Sequence, residues 1–257
     1  MCIKAGMENS SKRIAFVAAL PEEMEPLRKV ATAIKEEVSD RLSAIYSCSL
    51  PFVKDEIFFS LVGVGKALAS ANTQRIIDRF QPDLIFLIGS CGGPTKGAYP
   101  GDIVIPTSTA QSDYDLTCSG YELGASKGVT GLLPVFAETE TQFGNSIREQ
   151  AHHLVEVEGR TPRILSGVMT SRDSLITQSV EIEAVERSFH HVGWDMEAAA
   201  VNLIANLNGI PCCIVKGILD RNGIHDKSLS KKIEKTVYEN LFQIVYSALK
   251  ENKKSFG

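Results

Sequence analysis

Carboxylates that directly follow predicted buried strands are the side chains best placed to do chemistry. Ligands of open α/β sheets bind at the carboxyl ends of the strands, where such groups can accept hydrogen bonds or exchange protons with a bound molecule. The sequence therefore predicts a small-molecule site with acid–base character at this edge. The candidates are one of Glu22 and Glu23 after the apolar run 13–20, Glu197 after residues 192–195, and Asp220 at the end of 212–220.

Glu197 lies where a strand turns into a helix, in the sequence V-G-W-D-M-E-A-A-A. Apolar residues recur after it at helical spacing, which predicts that Glu197 lies at or near the first turn. Unpaired N–H groups and the helix dipole favour an ionised carboxylate there, and such a group can accept hydrogen bonds from ligand hydroxyls. The alternative is that Glu197 only stabilises the helix start, just as Glu22 and Glu23 would if they were solvated residues of a first turn.

A glycine-rich segment, G-S-C-G-G at residues 89–93, follows the apolar run 84–88. Its glycines predict a loop whose backbone approaches a ligand closely, and Ser90 adds a hydroxyl. The segment is neither a Walker loop nor G-x-G-x-x-G, so it indicates neither a nucleoside triphosphate nor a dinucleotide. His152 and His153 have no partner at a spacing that binds metal, and we expect them to face solvent. No metal and no cofactor are predicted.

Bulk properties favour a single domain that acts on a small molecule. The chain has 257 residues and a formal net charge of −4, and it contains no basic run typical of nucleic-acid binding or membrane-surface binding. Its six cysteines form no C-x-x-C pair, which predicts reduced thiols and a cytoplasmic protein. Residues 1–12 lack the apolar core of a secretory signal, and we expect a flexible arm before a single domain over 13–257.

Strands and helices alternate along most of the chain, which is typical of α/β proteins. Residues 107–140 are polar and irregular, and a loop of this length is usually functional or mobile. The apolar patterns predict strands at 13–20, 42–50, 56–64, 84–88, 103–106, 164–170, 192–195 and 212–220, and helices from 21, from 66, at 141–158, at 180–189, after 197 and in the C-terminal segment.

Four features occur in one order: the V-G-V-G-K turn at residues 62–66, the P-G-D-I-V motif at 100–104, D-M-E-A-A-A at 195–200 and the late acid Asp220. With Glu23 and the glycine-rich segment, they resemble the purine nucleoside phosphorylase and nucleosidase superfamily over nearly the whole chain, most closely its 5'-methylthioadenosine nucleosidases. The resemblance implies a three-layer α/β/α sandwich with a mixed, partly barrel-like sheet. It also implies a homodimer that hydrolyses the N-glycosidic bond of 5'-methylthioadenosine, with S-adenosylhomocysteine and 5'-deoxyadenosine as further candidate substrates.

The same resemblance assigns a role to each acid. Asp220 would protonate N7 of adenine, Glu197 would hold the ribose hydroxyls, and Glu23 would orient and deprotonate the attacking water. General acid catalysis of this kind needs a carboxyl that keeps its proton near neutral pH. Further residues expected at the substrate are Ser90, Cys91 and Gly92 of the glycine-rich segment, Leu175 and the backbone of Ile176 at the base, Met196 at the sugar, and Lys216.

Three departures from the bacterial pattern bear on specificity. Lys216 replaces an arginine, Leu175 a phenylalanine and Leu219 a serine. The first two resemble the plant-type enzymes, several of which strongly prefer methylthioadenosine to S-adenosylhomocysteine. A futalosine-type nucleosidase (substrate 6-amino-6-deoxyfutalosine) on the same scaffold and a non-catalytic nucleoside-binding storage protein remain as alternatives.

Hydrolysis is predicted rather than phosphorolysis. The phosphorylases of this superfamily carry one arginine after the first strand and another immediately before the glycine-rich loop. Here these neighbourhoods read A-L-P-E-E-M and F-L-I-G-S-C, without a cation. A carboxylate at Glu23 would repel phosphate but is suited to take a proton from water. Phosphate binding through Arg172 or Lys216 is the alternative.

Overall fold

A computed structural model describes residues 11–176, 178–220 and 231–251, with the side chain of Asp220 outside the description. Except for Ser11 and Lys12, the predicted N-terminal arm lies outside the described residues. None of the described helices is both long and apolar enough to cross a membrane.

The described residues form twelve strands and six α-helices. The strands are β1 Arg13–Ala18, β2 Thr32–Ser39, β3 Ala44–Ser49, β4 Glu56–Leu61, β5 Leu84–Gly92, β6 Ile103–Val104, β7 Ser108–Gln111, β8 Ala137–Glu138, β9 Ile164–Leu165, β10 Val168–Ser171, β11 His191–Asp195 and β12 Cys212–Asp220. The helices are α1 Pro21–Val30, α2 Lys66–Phe80, α3 Gln142–Glu149, α4 Ser179–Phe189, α5 Ala198–Leu207 and α6 Lys231–Glu251.

The sheet is mixed, and part of it closes on itself around β5. Strand β5 runs parallel to β1 and to β12, and it meets β11 antiparallel where Gly92 faces Trp194. From β12 the pairing continues through β6 to β9, and from β11 through β10 to β7. Strand β9 continues along the chain into β10. The order β5, β12, β6, β9–β10, β11 and back to β5 therefore forms a closed ring. The predicted sandwich with a mixed, partly barrel-like sheet is confirmed.

Helices cover both faces of the sheet, and the residues of each central strand alternate between the two layers. Phe16 and Phe86 point to the layer of α1, α3 and α6, with ring centroids 5.1 Å apart. Val17 and Leu87 point to the layer of α2 and α5. Full burial of one such side chain contributes about 1.5–3 kcal/mol, which explains why these strands are nearly continuous apolar runs.

Three predictions about local structure need correction, and one strand was missed. Strand β2 was not predicted because its side chains are largely exposed and its stability comes from pairing with β3. Residues 89–92 are not a loop, since β5 continues through them along β12. The helix predicted over 141–158 ends at Glu149 and is followed by a 3₁₀ turn. Residues 107–140 are not wholly irregular, because β7 and β8 pair there.

Candidate functional site

Glu23 lies in the first turn of α1, directly beyond the end of β1, and is 3 % exposed. Its Oε2 accepts hydrogen bonds from the N–H groups of Ala19 and Leu20, both at 3.0 Å. Its Oε1 accepts from the backbone N–H and the hydroxyl of Ser90, at 2.7 and 2.8 Å. Glu22 is exposed. Glu23 is therefore the acid of this pair that faces the sheet edge.

Gly89 makes room for the Glu23 carboxyl. A Cβ at this position would lie 2.6 Å from Glu23 Oε1, and Gly89 has a φ of +152°. Both the space and the backbone conformation therefore require glycine. The glycine-rich segment, a strand rather than the predicted loop, therefore lies directly against the buried Glu23 carboxyl.

Asp195, which sequence reasoning did not single out, holds the start of α5. Its Oδ1 accepts from the Ser171 hydroxyl at 2.6 Å and from the Ala198 N–H at 3.0 Å. The Ala199 N–H in turn donates to Ser171 Oγ at 2.8 Å. Asp195 and Ser171 thus accept the hydrogen bonds of the backbone N–H groups of Ala198 and Ala199 at the start of α5.

Glu197 is the N-cap residue of α5, as predicted, but its side chain makes no cap hydrogen bond. Its Oε1 accepts instead from the Gly65 N–H at 2.9 Å. Burial and the neighbouring Asp195 raise the pKa of Glu197 to about 7, against the opposing effect of Lys216. The expectation that the helix terminus favours the ionised form of Glu197 is wrong, because Asp195 takes that position. Glu197 does not simply stabilise the helix start either.

Lys216 lies on β12 with no exposed surface. Its Nζ is 3.0 Å from Asp195 Oδ2 and 4.0 Å from Glu197 Oε2, and the former contact is an ion pair whose alignment is poor for a hydrogen bond. Burial alone would lower the pKa of Lys216, but Asp195, Glu23 and Glu197 outweigh it and raise that pKa. Lys216 therefore contacts Asp195 and Glu197 from within the protein core.

The remaining predicted residues lie around this centre. Leu175 is 56 % exposed, while Ile176 is buried against Ile182 and Trp194. Met196 is half-buried, and Cys91 and Gly92 are buried. The Trp194 indole lies where a Cβ on Gly92 would be. The backbone of Asp220 ends β12 opposite Gly92, and its predicted role depends on a side chain outside the described residues.

A second group of charged residues, not predicted, borders the site. Lys66 Nζ pairs with Asp113 Oδ1, and the Lys66 N–H donates to Asp173 Oδ1 at 2.7 Å. Lys66 and Asp173 are 107 positions apart in the sequence, so no local pattern could have revealed the group. Their only sequence signal is the lysine of V-G-V-G-K.

A cavity of about 670 Å³ lies elsewhere, between α4 and residues 94–97, and none of the predicted site residues lines it. We assign the site from the buried acids rather than from this cavity, because perturbed ionisable groups mark chemistry more directly than open volume does. Among the described residues, no group of three or more His, Cys, Asp or Glu side chains is arranged to hold a metal ion. His152 and His153 are exposed, as expected.

Comparisons with known proteins agree with one another. Residues 13–250 match the family model of the phosphorylase superfamily. The 5'-methylthioadenosine/S-adenosylhomocysteine nucleosidase of Buchnera aphidicola is 30 % identical over 226 residues, which cover 88 % of this chain and 89 % of that protein.

Many solved structures share the fold, among them those of two enzymes. That of the 5'-methylthioadenosine/S-adenosylhomocysteine nucleosidase from Neisseria meningitidis, in complex with methylthio-immucillin-A, is 27 % identical with a TM-score of 0.81 and covers 93 % of this chain and 99 % of that one. The futalosine hydrolase of Helicobacter pylori also has a TM-score of 0.81, covering 93 % and 98 %, but at 21 % identity it supports the fold alone.

Proposed function

The chain belongs to the phosphorylase superfamily, and from this premise we propose that it is an N-glycosyl hydrolase that cleaves 5'-methylthioadenosine into adenine and the thioribose. S-adenosylhomocysteine is the second substrate that the names of the relatives suggest. The observation that carries the proposal is the buried placement of Glu23 and Glu197 around Lys216 at the carboxyl ends of the strands.

In the proposed reaction, Glu197 accepts hydrogen bonds from the ribose hydroxyls, with Met196 packed against the sugar. One carboxylate oxygen is already fixed by the Gly65 N–H, which leaves the other for the substrate. Lys216 lies behind this carboxylate and offsets part of its charge. An anionic carboxylate near the sugar also favours an oxocarbenium-like transition state.

Glu23 takes a proton from the attacking water in this proposal. Four hydrogen bonds from Ala19, Leu20 and Ser90 fix its carboxylate against the end of β5. A positioned base of this kind contributes about 10²–10⁴-fold to a rate. Ser90 connects Glu23 to the glycine-rich segment, which the family resemblance places near the base.

Asp220 acts as the general acid and delivers a proton to adenine N7, so that neutral adenine leaves. Leu175, the Ile176 backbone, Cys91 and Gly92 border the base in this arrangement. Leu175 is 56 % exposed.

Water rather than phosphate is the proposed nucleophile. Phosphate needs cations beside the sugar, for which arginine is best suited. Lys216 is already paired with Asp195 and Glu197, and Arg172 Nε donates to Ser174 Oγ at 2.7 Å. The Glu23 carboxylate would repel a dianion at close range.

We further propose a homodimer in the cytoplasm, built from a single domain over residues 13–257. Exposed apolar side chains near the site and within residues 107–140 are consistent with the dimer, because a second subunit would cover them. Val64 and Leu68 are each 47 % exposed beside the Glu197 contact, and Val129, Leu132 and Phe136 are exposed within residues 107–140. In the dimer, the 107–140 segment of one subunit would help to close the site of the other. Analytical ultracentrifugation tests this, and a fully active monomer at micromolar concentration would exclude it.

The function is tested by incubating pure protein with methylthioadenosine in phosphate-free buffer while adenine and the sugar product are identified. Parallel reactions contain S-adenosylhomocysteine, 5'-deoxyadenosine and 6-amino-6-deoxyfutalosine. We expect adenine and a free thioribose, with methylthioadenosine the preferred substrate, as in several of the plant-type enzymes. Phosphate-dependent release with a sugar 1-phosphate would indicate a phosphorylase, and nucleoside binding without cleavage would indicate a storage protein.

A further inference from the structure

The turn before α2 donates hydrogen bonds to two different parts of the site. Toward the sugar, the Gly65 N–H donates to Glu197 Oε1 at 2.9 Å. Toward the opposite side, the Lys66 N–H donates to Asp173 Oδ1 at 2.7 Å, and Asp173 belongs to the loop that carries Leu175 and Ile176. Two adjacent N–H groups of one turn therefore fix a sugar-side acid and a base-side loop.

The side chain of Lys66 closes this arrangement with a third segment. Its ammonium pairs with Asp113 Oδ1 and lies 4.0 Å from Asp173 Oδ2, with the lysine side chain only 14 % exposed. Asp113 Oδ2 accepts from the Asp173 N–H at 2.8 Å. Each of the three residues thus contacts the other two, and we call this group the Lys66 junction.

The junction is charged and geometrically constrained. Although burial raises the pKa of Asp113, the Lys66 ammonium and the Asp173 N–H outweigh it and hold that pKa below its usual range. Gly65 has a φ of +93°, and a Cβ there would lie 3.2 Å from Asp173 Oδ1. The turn is therefore fixed both by the ion pair and by a close backbone approach, which is typical of a segment that must hold one position.

We propose that Lys66 is a positioning residue that couples the sugar side of the site, through Gly65 and Glu197, to the base side, through Asp173 and the loop 172–176. The assignment of the two sides rests on the proposed function. Removal of the ammonium leaves the Asp113 and Asp173 carboxylates without the cation between them, while the backbone N–H hydrogen bonds of Gly65, Lys66 and Asp173 remain available. Small displacements of bound groups cost up to about 100-fold in rate.

The test compares Lys66→Met, Lys66→Arg, Asp113→Asn and the double variant Lys66→Met/Asp113→Asn. Lys35→Met is the control, because Lys35 forms an exposed ion pair with Glu37 on β2, far along the sheet from the site. For each protein we would measure the Kd for adenine by calorimetry, kcat and KM for methylthioadenosine, and Tm.

We expect Lys66→Met to weaken adenine binding and to lower kcat/KM by about 10-fold to 100-fold. Lys66→Arg should recover most of this loss. The double variant should be no worse than Lys66→Met, because both substitutions remove the same ion pair between Lys66 and Asp113. Lys35→Met should match the wild type. If Lys66→Met lowers Tm strongly, Asp113→Asn provides the same comparison with the lysine intact.

Adenine affinity and kcat/KM within twofold of wild type in both Lys66→Met and Asp113→Asn would overturn the proposal. So would fully additive losses in the double variant. A wild-type protein that binds adenine but cleaves no nucleoside would reject the proposed hydrolysis, and the adenine affinities would still decide the role of Lys66.

Discussion

Lys216 Nζ lies 3.0 Å from Asp195 Oδ2, and neither side chain is more than 3 % exposed. Burial of two charges is costly, and their attraction offsets that cost only while both partners remain. Asp195 also holds the start of α5, so this pair connects β12 to the helix that follows Glu197. Its loss should affect both stability and the ionisation of Glu197.

Lys216→Met should lower the free energy of unfolding by about 3–5 kcal/mol, since it leaves Asp195 buried without its cation. The double variant Asp195→Asn/Lys216→Met should be less destabilised than Lys216→Met alone, because the buried charge of Asp195 is removed together with its cation. Urea unfolding measures both. Lys29→Met is the control, since Lys29 forms only an exposed pair with Glu25, and its effect should stay within about 0.5 kcal/mol. A double variant that is less stable than Lys216→Met would contradict this account.

The pH dependence of kcat/KM should report the ionisation of Glu197. Its pKa is raised to about 7, so the carboxyl becomes protonated as the pH falls through that value. A protonated carboxyl is a poorer acceptor for ribose hydroxyls, and kcat/KM should approach a tenfold loss per pH unit below about 7. Asp195→Asn removes a like charge beside Glu197 and should shift this decrease in kcat/KM to lower pH. A decrease that stays in place in Asp195→Asn would show that another group titrates there.

Glu23→Gln should lose about 10²–10⁴-fold in kcat, because an amide cannot take a proton from water. Glu22→Gln is the matched control, since Glu22 is the adjacent acid in the same helical turn and is exposed. Steady-state kinetics on methylthioadenosine would compare the two variants. An equal loss of kcat in Glu23→Gln and Glu22→Gln would contradict the assignment of Glu23 as the base.

Asp220→Asn should lose far more turnover than affinity, because an amide still hydrogen-bonds adenine but delivers no proton. The expected loss in kcat is about 10²–10⁴-fold, with KM changed little. Kinetics combined with adenine binding would separate the two effects. Near-native turnover in this variant would require a different general acid.

The sequence predicted the positions of the site acids better than their partners. Apolar runs and turn signals locate the strand ends, and Glu23 and the end of β12 lie where these patterns place them. D-M-E offers two acids beside one helix start, and only the tertiary positions of Ser171 and Lys216 make Asp195 the one that holds it. The Lys66 junction joins three distant segments, so local patterns mark only its lysine, in V-G-V-G-K.

Gly89→Ala should disable the site through a clash with the Glu23 carboxyl. The added Cβ would lie 2.6–2.8 Å from the carboxyl atoms of Glu23, so the carboxylate must move away from Ser90 or the strand must shift. Displacement of a catalytic group by such a distance costs on the order of 100-fold in rate. Gly97→Ala separates the clash from backbone strain, because Gly97 also has a positive φ, +83°, but has no atom within 4 Å of the added Cβ. We expect kcat/KM to fall in Gly89→Ala and to remain near wild type in Gly97→Ala, with unfolding curves measured for both. A fully active Gly89→Ala would mean that the position of the Glu23 carboxylate against β5 is not needed for the reaction.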